Sequence, residues 1–458
     1  MGVLERLFGI RSPEEVKREF RAALATFMTM AYIVVVNPSI LSDAGMDPGA
    51  VMVATVIASA VATFLMGVYA NFPFALAPGM GLNAYFTYTV VRTLGYSWQE
   101  ALGGVFISGV LFLILALTGL REKIVDSVPV SLKAAISSGV GFFITVIGLH
   151  NARIINFEGL PSLGEVSSPS FLLAMFGLLL IALLLVLRVR GAIIIGIILT
   201  WLVGAILGYA QLPRAVFGSE GVFSLPPSLA PTFMKLDIAG ALSRGALSFV
   251  FTFFFVDFFD TAGTLIGLGF RGGFIDRRTG KFHKKYRGES SEELHDVRYP
   301  RIGRAFITDA VGTITGALLG TSTVTTYVES AAGLEEGGKT GLTALFVSLF
   351  FIITLFLYPL VSKIPSWATA PALIMVGLMM MHSITKIPLN EYDEAVPAFL
   401  TVVSIPLTYS IATGLALGFT SYVIIKLLAG FFIREKWRDL NPVLVVLSVL
   451  FVIFLAMK

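Results

Sequence analysis

The chain has 458 residues, of which 56% are hydrophobic and only 14% are charged, and its mean hydropathy is +0.86. Soluble domains carry about 25% charged residues, so this composition excludes an ordinary soluble protein and predicts an integral membrane protein. The chain has no cysteine, which excludes disulfides and thiolate metal sites. Its first 20 residues are charged and lack the apolar run of a signal peptide, so the first span is expected to act as the insertion signal.

Fourteen apolar segments can be assigned as membrane spans in chain order. Five of them (the third, ninth, tenth, twelfth and thirteenth) are shorter than the roughly 20 residues that a complete helical crossing needs. A further apolar segment, 442–456, could be an extra span, a re-entrant piece or an interfacial helix. The predicted spans cover residues 22–41, 50–69, 79–92, 100–118, 132–149, 170–187, 192–209, 242–270, 305–319, 327–334, 341–361, 368–381, 396–409 and 411–428.

The basic residues are distributed unevenly between the two sides of the membrane that these spans imply. Cytoplasmic loops of membrane proteins carry an excess of Lys and Arg. We therefore expect a multi-pass protein of the cell (plasma) membrane with a cytoplasmic N-terminus. With that orientation, nearly all of the 33 Lys and Arg residues lie on the cytoplasmic side, and the outside keeps only Arg92, Arg153, Arg214, Lys235, Arg244 and Lys363.

A long polar loop, residues 271–304, divides the chain into two halves of seven predicted spans each. Because seven is odd, the two halves would insert with opposite orientation, which is the inverted-repeat plan of many secondary transporters. We expect the loop to be a solvated cytoplasmic connector, with contact to lipid headgroups as the alternative. A nucleic-acid partner is not expected, because acidic side chains are mixed with the basic ones in this loop.

The third predicted span of each half is short and rich in Gly, Pro or Thr: PFALAPGMGLNAYF (73–86) and GTSTVTTYVESAAG (320–333). Interrupted apolar segments at matching positions of two repeats are typical of transporter binding sites. There, unwound backbone and the N-termini of half-helices can meet a substrate near the middle of the membrane.

Two carboxylates lie within these apolar regions and are the first candidates for function. Asp260 follows an apolar run in FTFFFVDFFDTAGTL (251–265), and Glu329 follows a cluster of hydroxyl side chains that includes Thr325 and Thr326. A carboxylate in hydrocarbon costs about 2.5–3.5 kcal/mol on insertion scales, so such residues are rare and usually face a cavity or a partner. We expect both residues to line a polar cavity.

Two further aspartates are weaker candidates. Asp257 shares a helix face with Asp260, so at least one of the two is expected to carry a proton or to have a polar partner, and a structural role is favoured for Asp257. Asp309 lies near the start of the ninth predicted span, close to Arg301 and Arg304, so an ion pair at the cytoplasmic edge is expected there.

The motif APGMGLN (77–83) supplies small residues and an amide. Gly79 and Gly81 could let the backbone approach a ligand, or could serve helix packing instead. The motif is not a phosphate-binding loop, because no strand is expected before it and no GxGxxG is present. Asn83 offers a hydrogen-bond donor and an acceptor, which a heterocycle with mixed edges requires.

An enzyme is not expected, because a nucleophile–base pair or a metal cluster would be needed. The chain has no cysteine, and its four histidines, His150, His283, His295 and His382, lie in a loop or at span ends. We therefore expect no cofactor and no metal.

Several motifs together resemble the hypoxanthine/guanine/adenine permeases, the AzgA-like branch of the nucleobase-cation symporter-2 (nucleobase–ascorbate transporter) family. The resemblance extends from about residue 15 to 430 and rests on MTMAYIVVVNPSIL (28–41), APGMGLNAYF (77–86), FFDTAGTLIG (258–267), TSTVTTYVESAAG (321–333) and AVPAFLTVVSIPLTYSIATG (395–414).

The resemblance implies an all-α polytopic membrane protein with 14 transmembrane segments in a seven-plus-seven inverted repeat, as in the uracil permease fold. Spans 1–4 (22–130) and 8–11 (242–361) would form a core domain, and spans 5–7 (131–241) and 12–14 (362–430) a gate domain. Residues 1–21 would be a cytoplasmic tail, and residues 431–458 a C-terminal tail with the extra apolar segment.

The resemblance also implies proton-coupled import of purine bases, with Asp260 and Glu329 as substrate-binding and proton-coupling residues. Asn83, Thr325, Thr326 and the backbone at Gly79 and Gly81 would complete the substrate contacts, and Phe86 or Phe259 would stack on the ring. The related uracil permease has a histidine one helical turn after the span-8 acid, but this chain has Thr264 there, so a histidine-based proton step is not carried over.

Two alternative functions remain at this point. A uracil or xanthine permease of a sister branch would use a similar site, whereas an anion exchanger of the same fold would need a basic residue or uncompensated helix N-termini in its core. A homodimer is possible, because the related fold often dimerises through its gate domain, but no segment shows an unambiguous dimer motif. The sequence does not indicate which purine is preferred or which carboxylate carries the proton.

Overall fold

The computed structural model describes residues 2–118, 127–156, 161–218, 220–243, 247–275, 302–433 and 440–456. The chain is a multi-pass helical membrane protein. Most of the predicted loop 271–304, namely residues 276–301, lies outside the described residues. Within those residues, ten helical segments are long and apolar enough to cross a membrane: Pro13–Ser42, Pro48–Ala70, Trp98–Thr118, Val130–Asn151, Pro169–Val186, Phe249–Arg271, Ile302–Leu319, Gly341–Val361, Ser366–Lys386 and Ile411–Phe432.

The α-helices that precede residue 244 are short at the N-terminus and longer within the spans. Their bounds are Gly2–Phe8 (α1), Pro13–Met30 (α2), Ile33–Ser42 (α3), Pro48–Leu65 (α4), Met80–Ala84 (α5), Trp98–Thr118 (α6), Val130–Asn151 (α7), Pro169–Val186 (α8), Ala192–Ile206 (α9) and Ile238–Ser243 (α10). Helix α4 continues into a π-helical turn at Met66–Ala70, and α5 continues into a longer π-helical segment at Tyr85–Thr93.

The remaining α-helices include the one that carries Asp260. Their bounds are Leu247–Arg271 (α11), Ile302–Leu319 (α12), Ser330–Glu335 (α13), Gly341–Thr354 (α14), Tyr358–Val361 (α15), Ser366–Met381 (α16), Tyr392–Leu407 (α17), Ile411–Phe432 (α18) and Pro442–Ala456 (α19). Two 3₁₀ segments, Leu355–Leu357 and His382–Lys386, follow α14 and α16.

A helix lies at each of the fourteen predicted span positions. Four of these helices are too short to qualify as spans by themselves: α5 with its π-helical continuation, α9, α13 and α17. The C-terminal apolar segment is also a helix, and it packs on the last predicted span. In this contact the ring of Phe451 lies 5.2 Å from that of Phe419 and 5.5 Å from that of Phe255.

Two short strands interrupt the otherwise helical arrangement at the third segment of each half. Strand β1 (Leu76–Pro78) pairs antiparallel with β4 (Val324–Thr326), with Ala77 opposite Thr325. The expectation that no strand precedes the GMG motif is therefore wrong, because β1 ends immediately before Gly79. Broken helices leave backbone polar groups unpaired, and inside a membrane those groups must find partners within the protein. A second, peripheral pair joins β2 (Ile155–Asn156) to β3 (Ser162–Leu163).

Equivalent threonines tie each crossing strand to the helix that precedes it. Thr63 of α4 donates a hydrogen bond to the carbonyl of Leu76 at 3.1 Å, and its hydroxyl accepts one from the Leu76 amide at 2.9 Å. Thr313 of α12 donates to the carbonyl of Val324 at 3.0 Å. All of these groups are buried. Each half of the chain therefore fixes its crossing strand with a threonine hydrogen bond from the preceding helix.

Candidate functional site

Asp260 and Glu329 lie close to the strand crossing. Asp260, in α11, lies beside the side chain of Thr325 in β4 and close enough to Glu329 for the two charges to interact. Glu329 is the residue that immediately precedes α13. Both carboxylates are partly exposed, whereas every residue of the two strands is buried. This arrangement fits carboxylates that border a polar cavity in the protein interior.

Glu329 is held by the first span. The Tyr32 hydroxyl donates a hydrogen bond to Oε1 of Glu329 at 2.6 Å. The Thr29 hydroxyl lies 3.4 Å from the Glu329 carbonyl, and its nearest acceptor is the Thr26 carbonyl at 2.7 Å. Tyr32 lies between α2 and α3 and is 1% exposed. The sequence analysis missed this residue. The available signal was a tyrosine inside an apolar span, because a buried phenol usually needs a hydrogen-bond partner.

The two predicted threonines act on carboxylates. The Thr325 side chain lies beside Asp260, and the Thr326 hydroxyl donates to Oδ1 of Asp309 at 2.9 Å. Both side chains are buried. The structure thus places both threonines beside the acids.

Asp309 does not form the expected ion pair at the cytoplasmic edge. It is fully buried, and its second oxygen, Oδ2, accepts a hydrogen bond from Thr261 of α11 at 2.8 Å. Arg304 instead donates to the carbonyl of Tyr69 at 3.2 Å, and Arg301 lies outside the described residues. The expectation was wrong because the position of Asp309 along the chain does not reveal in which direction its side chain points. The Asp309 side chain bonds to α11 and β4 and not to Arg304.

Asp257 is buried beside the same group. Thr313 donates to Asp257 Oδ2 at 3.2 Å, and Oδ1 has no hydrogen-bond partner among the described residues. Asp257 also interacts electrostatically with Asp309 and Asp260. In the part of the chain that the structure describes, none of these acids or Glu329 forms an ion pair with Lys, Arg or His; the ion pairs found there lie elsewhere.

Asn83 is fully buried in α5, close to the strand crossing. Its Oδ1 accepts a hydrogen bond from the Ser322 hydroxyl, whereas its Nδ2 faces the sulfur of Met80 at 3.9 Å. Thioether sulfur is a weak acceptor. The amide donor of Asn83 is therefore the half of this side chain that is best able to bind a ligand atom.

The two glycines of the motif have different surroundings. The amide of Gly79 donates to the carbonyl of Thr323 at 2.9 Å and so extends the contact between the two crossing segments. A Cβ atom at Gly81 would lie 2.2 Å from Cγ1 of Val140 in α7. The close approach at Gly81 therefore matches the packing alternative: it allows α5 to contact α7.

The proposed stacking residues are engaged in aromatic packing. Phe86 is fully buried and lies 6.4 Å from Phe253, measured between ring centroids. Phe259 is 6% exposed and packs against Phe255 and Phe258 at 4.5 and 5.2 Å. Both rings are buried by these neighbours, so the structure does not support either as a stacking surface.

The assembled site is acidic, rich in hydroxyl groups and supported by one amide. It offers hydrogen-bond acceptors on carboxylates that can gain or lose protons, and a donor on Asn83. Among the described residues, no group of three or more His, Cys, Asp or Glu side chains could hold a metal ion. Such a site suits a neutral, N–H-rich ligand.

Relatives were found by sequence. The chain is 51% identical to protein MJ0326 of Methanocaldococcus jannaschii, with 95% of this chain and 94% of that protein covered. It is 39% identical to the adenine permease AdeP of Escherichia coli, with 99% and 96% covered. It is 41% identical to the guanine/hypoxanthine permease PbuG of Bacillus subtilis, with 96% of each covered.

A solved structure shares the fold. The transmembrane domain of the cyanobacterial bicarbonate transporter BicA superposes with a TM-score of 0.64 at 13% sequence identity, covering 89% of this chain and 98% of that one. The profile described as "Permease family" matches residues 17–417. Both the family and the curated relatives consist of permeases, which are transporters and not enzymes. This chain therefore belongs to the Permease family, and the resemblance to the purine nucleobase permeases read from its motifs is confirmed.

Proposed function

We propose that this protein imports purine nucleobases (adenine, hypoxanthine and guanine) together with protons. Relatives at 39–41% identity over nearly the whole chain are named adenine permease and guanine/hypoxanthine permease, which supports this substrate class. The observation that carries the proposal is the placement of Asp260 and Glu329. They are two partly exposed carboxylates at the crossing of two broken helices, with Asn83 nearby.

The chemistry of purines fits this set of groups. A purine base presents ring N–H groups and, in adenine and guanine, an exocyclic amine, which the carboxylate oxygens of Asp260 and Glu329 can accept. The Asn83 amide can donate to a ring nitrogen or a carbonyl oxygen. The remaining predicted contacts, Thr325 and Thr326, would act by orienting the acids.

Proton coupling follows from carboxylates that no described cation neutralises. If protonation of Asp260 or Glu329 changes the affinity for the purine, then the purine must change the affinity for the proton by the same factor. A base that binds better when one carboxyl group is protonated would bring that proton with it. The coupling ion is then the proton, and no cofactor is needed.

Two alternatives are less well supported. A uracil or xanthine permease could use the same acids, so only substrate competition separates it from a purine permease. An anion exchanger has the precedent of the bicarbonate transporter with the same fold. However, the partly exposed carboxylates of Asp260 and Glu329, neither paired with a cation within the described ranges, would repel an anion when they are ionised.

We also propose the full fourteen-span, seven-plus-seven architecture. Helix packing agrees with it. In this plan α4 corresponds to α12 and α6 corresponds to α14, and α4 contacts α14 just as α12 contacts α6. In the same way α7 corresponds to α16 and α8 corresponds to α17, and α7 packs on α17 just as α16 packs on α8. The first two pairs would lie in a core domain (22–130 and 242–361), and the last two in a gate domain (131–241 and 362–430).

The gate domain would be held together partly by a buried ion pair. Lys426 of α18 is 1% exposed and lies 2.8 Å from Asp393 Oδ2 and 2.9 Å from Glu394 Oε1, both in α17. Ser131 of α7 also donates a hydrogen bond to Glu394. Three helices of the proposed gate thus meet at one cluster. Movement of the core domain against this gate would carry the site from one side of the membrane to the other.

We propose the cell membrane as the location, with the N-terminus and the loop 271–304 in the cytoplasm. The distribution of basic residues supports this orientation. It is tested with a cysteine introduced at Ser291 of this naturally cysteine-free chain. A membrane-impermeant thiol reagent should label the cysteine only after the cells are opened, and labelling of intact cells would contradict the orientation.

The substrate proposal is tested by uptake of labelled hypoxanthine into proteoliposomes with an imposed pH gradient. We expect excess adenine and guanine to compete, uracil, xanthine and bicarbonate to compete poorly, and a protonophore to abolish accumulation. Stronger competition by uracil or xanthine would assign the protein to a sister branch. Exchange of bicarbonate would assign it to the anion transporters.

A further inference from the structure

We propose that Tyr32 is a positioning residue for substrate binding: its hydroxyl holds one oxygen of Glu329 so that the other oxygen faces the ligand. This inference rests on the proposed function, because it concerns the site where the purine would bind. It adds a residue of the first span to a site that was predicted from the third, eighth and tenth spans.

The geometry of the contact is that of a strong hydrogen bond. The distance between the Tyr32 hydroxyl and Glu329 Oε1 is 2.6 Å, within the range of a hydroxyl–carboxylate bond. Tyr32 is 1% exposed, so water does not compete for this hydroxyl, whereas Glu329 is partly exposed. One carboxylate oxygen is therefore committed to the protein, and Oε2 is the oxygen left for a ligand.

Both ends of this hydrogen bond are fixed by the surrounding backbone. The amides of Val35 and Val36 donate to the Tyr32 carbonyl at 3.0 and 2.9 Å, which anchors Tyr32 at the start of α3. On the other side, the Thr29 side chain packs 3.4 Å from the Glu329 carbonyl while its hydroxyl donates to the Thr26 carbonyl at 2.7 Å. A Cβ atom at Gly333 of α13 would lie 2.2 Å from the Thr26 hydroxyl, so the turn after Glu329 is pressed against α2.

The consequence for binding is preorganisation. A glutamate has three side-chain torsions, and a free carboxylate at the edge of a cavity would lose that freedom when it binds a ligand. The Tyr32 hydroxyl removes this freedom before the purine arrives. Glu329 is held by a tyrosine of the first span, whereas Asp260 lies beside a threonine of the crossing strand.

The first test is Tyr32→Phe, which keeps the ring and removes only the hydroxyl. Counterflow exchange of labelled hypoxanthine in proteoliposomes gives a half-saturating concentration and a maximal rate. We expect the half-saturating concentration to rise about tenfold, the usual effect of losing one buried hydrogen bond to a charged group, while the maximal rate stays nearly unchanged. A fall in maximal rate with unchanged half-saturation would contradict positioning, because it would indicate a role in domain movement or general stability.

The matched control is Tyr88→Phe. The Tyr88 hydroxyl also donates to a carboxylate, Asp43 Oδ2, at 2.7 Å, but Asp43 follows the C-terminal end of α3, whereas Tyr32 precedes its start. We expect this variant to lose a similar amount of thermal stability in detergent and to keep the wild-type half-saturating concentration. If both variants weaken binding equally, the effect of Tyr32 is structural and the inference fails.

A double-mutant cycle with Glu329→Asp tests whether Tyr32 acts through Glu329. The shorter aspartate cannot reach Tyr32 and the ligand together, so Tyr32→Phe should change hypoxanthine affinity, measured with purified protein, by less than about twofold in that background. An unchanged tenfold effect would assign Tyr32 another role. If Glu329→Asp abolishes measurable binding, the comparison of Tyr32→Phe with Tyr88→Phe in the counterflow assay decides whether Tyr32 positions Glu329. If the wild type itself binds no purine, the proposed function fails, whereas equal binding by wild type and Tyr32→Phe overturns only this inference.

Discussion

The hydroxyl of Thr326 donates a hydrogen bond to Oδ1 of Asp309 at 2.9 Å. This bond joins strand β4 to the middle of α12. Thr261 of α11 donates to the other oxygen of the same carboxylate at 2.8 Å. Asp309 thus connects three segments immediately behind Asp260. Its burial and its two donors make it part of the framework of the site.

We expect Asp309→Ala to abolish purine uptake and to destabilise the protein. The substitution leaves the buried hydroxyls of Thr261 and Thr326 without their acceptor, at about 1–3 kcal/mol for each group. Uptake and thermal stability in detergent are measured at matched expression. Arg304→Ala is the control, because Arg304 bonds the Tyr69 carbonyl and not Asp309, so it should retain uptake. Equal loss in both variants would restore the ion-pair interpretation.

Asp260→Asn and Glu329→Gln are each expected to abolish concentrative uptake. Both changes are nearly isosteric, so folding and membrane insertion should survive, but an amide cannot gain and lose the coupling proton. One of the two variants is expected to retain purine exchange without accumulation. The measurement is hypoxanthine uptake driven by a pH gradient, with and without a protonophore. Protonophore-sensitive accumulation by both variants would show that these carboxylates are not the coupling site.

Asn83→Ala should weaken purine binding more than it lowers the amount of protein in the membrane. The Nδ2 group donates only to a thioether within the described structure, so its loss removes a ligand partner, while the loss of Oδ1 removes the acceptor of the Ser322 hydroxyl and costs some stability. The expected loss of binding free energy is about 1–3 kcal/mol. Equilibrium binding of labelled hypoxanthine to purified protein checks it, and wild-type affinity would assign Asn83 to packing.

Gly81→Ala is expected to block transport through a steric clash. The new Cβ would lie 2.2 Å from Val140 Cγ1, so α5 and α7 must move apart. Overpacking of this kind typically costs about 1–3 kcal/mol. The second substitution Val140→Ala removes the obstructing methyl groups and should restore much of the uptake. If the double variant stays inactive while Val140→Ala alone is active, Gly81 contributes something other than space.

The sequence by itself determined the features that depend on local composition. Apolar runs indicated the positions of the spans, because each segment that crosses the membrane must by itself be apolar and satisfy its backbone hydrogen bonds. Asp260 and Glu329 were identified because a carboxylate is costly in an apolar segment. The interruptions rich in small or hydroxyl residues indicated the two segments that pair as β1 and β4. The motif resemblance identified the family for the same reason, since it is carried by contiguous residues.

Only the tertiary structure decided which partners these residues have. Tyr32 and Glu329 are separated by 297 positions, and no periodicity in either span indicates that they meet. Asp309 was assigned to the membrane edge from its distance to two arginines, but the direction of its side chain depends on how α12 packs against α11 and β4. Gly81 could be a ligand contact or a packing position until Val140 was found beside it. A hydrogen bond or a close approach depends on which helices cross, and that crossing is a property of the whole fold.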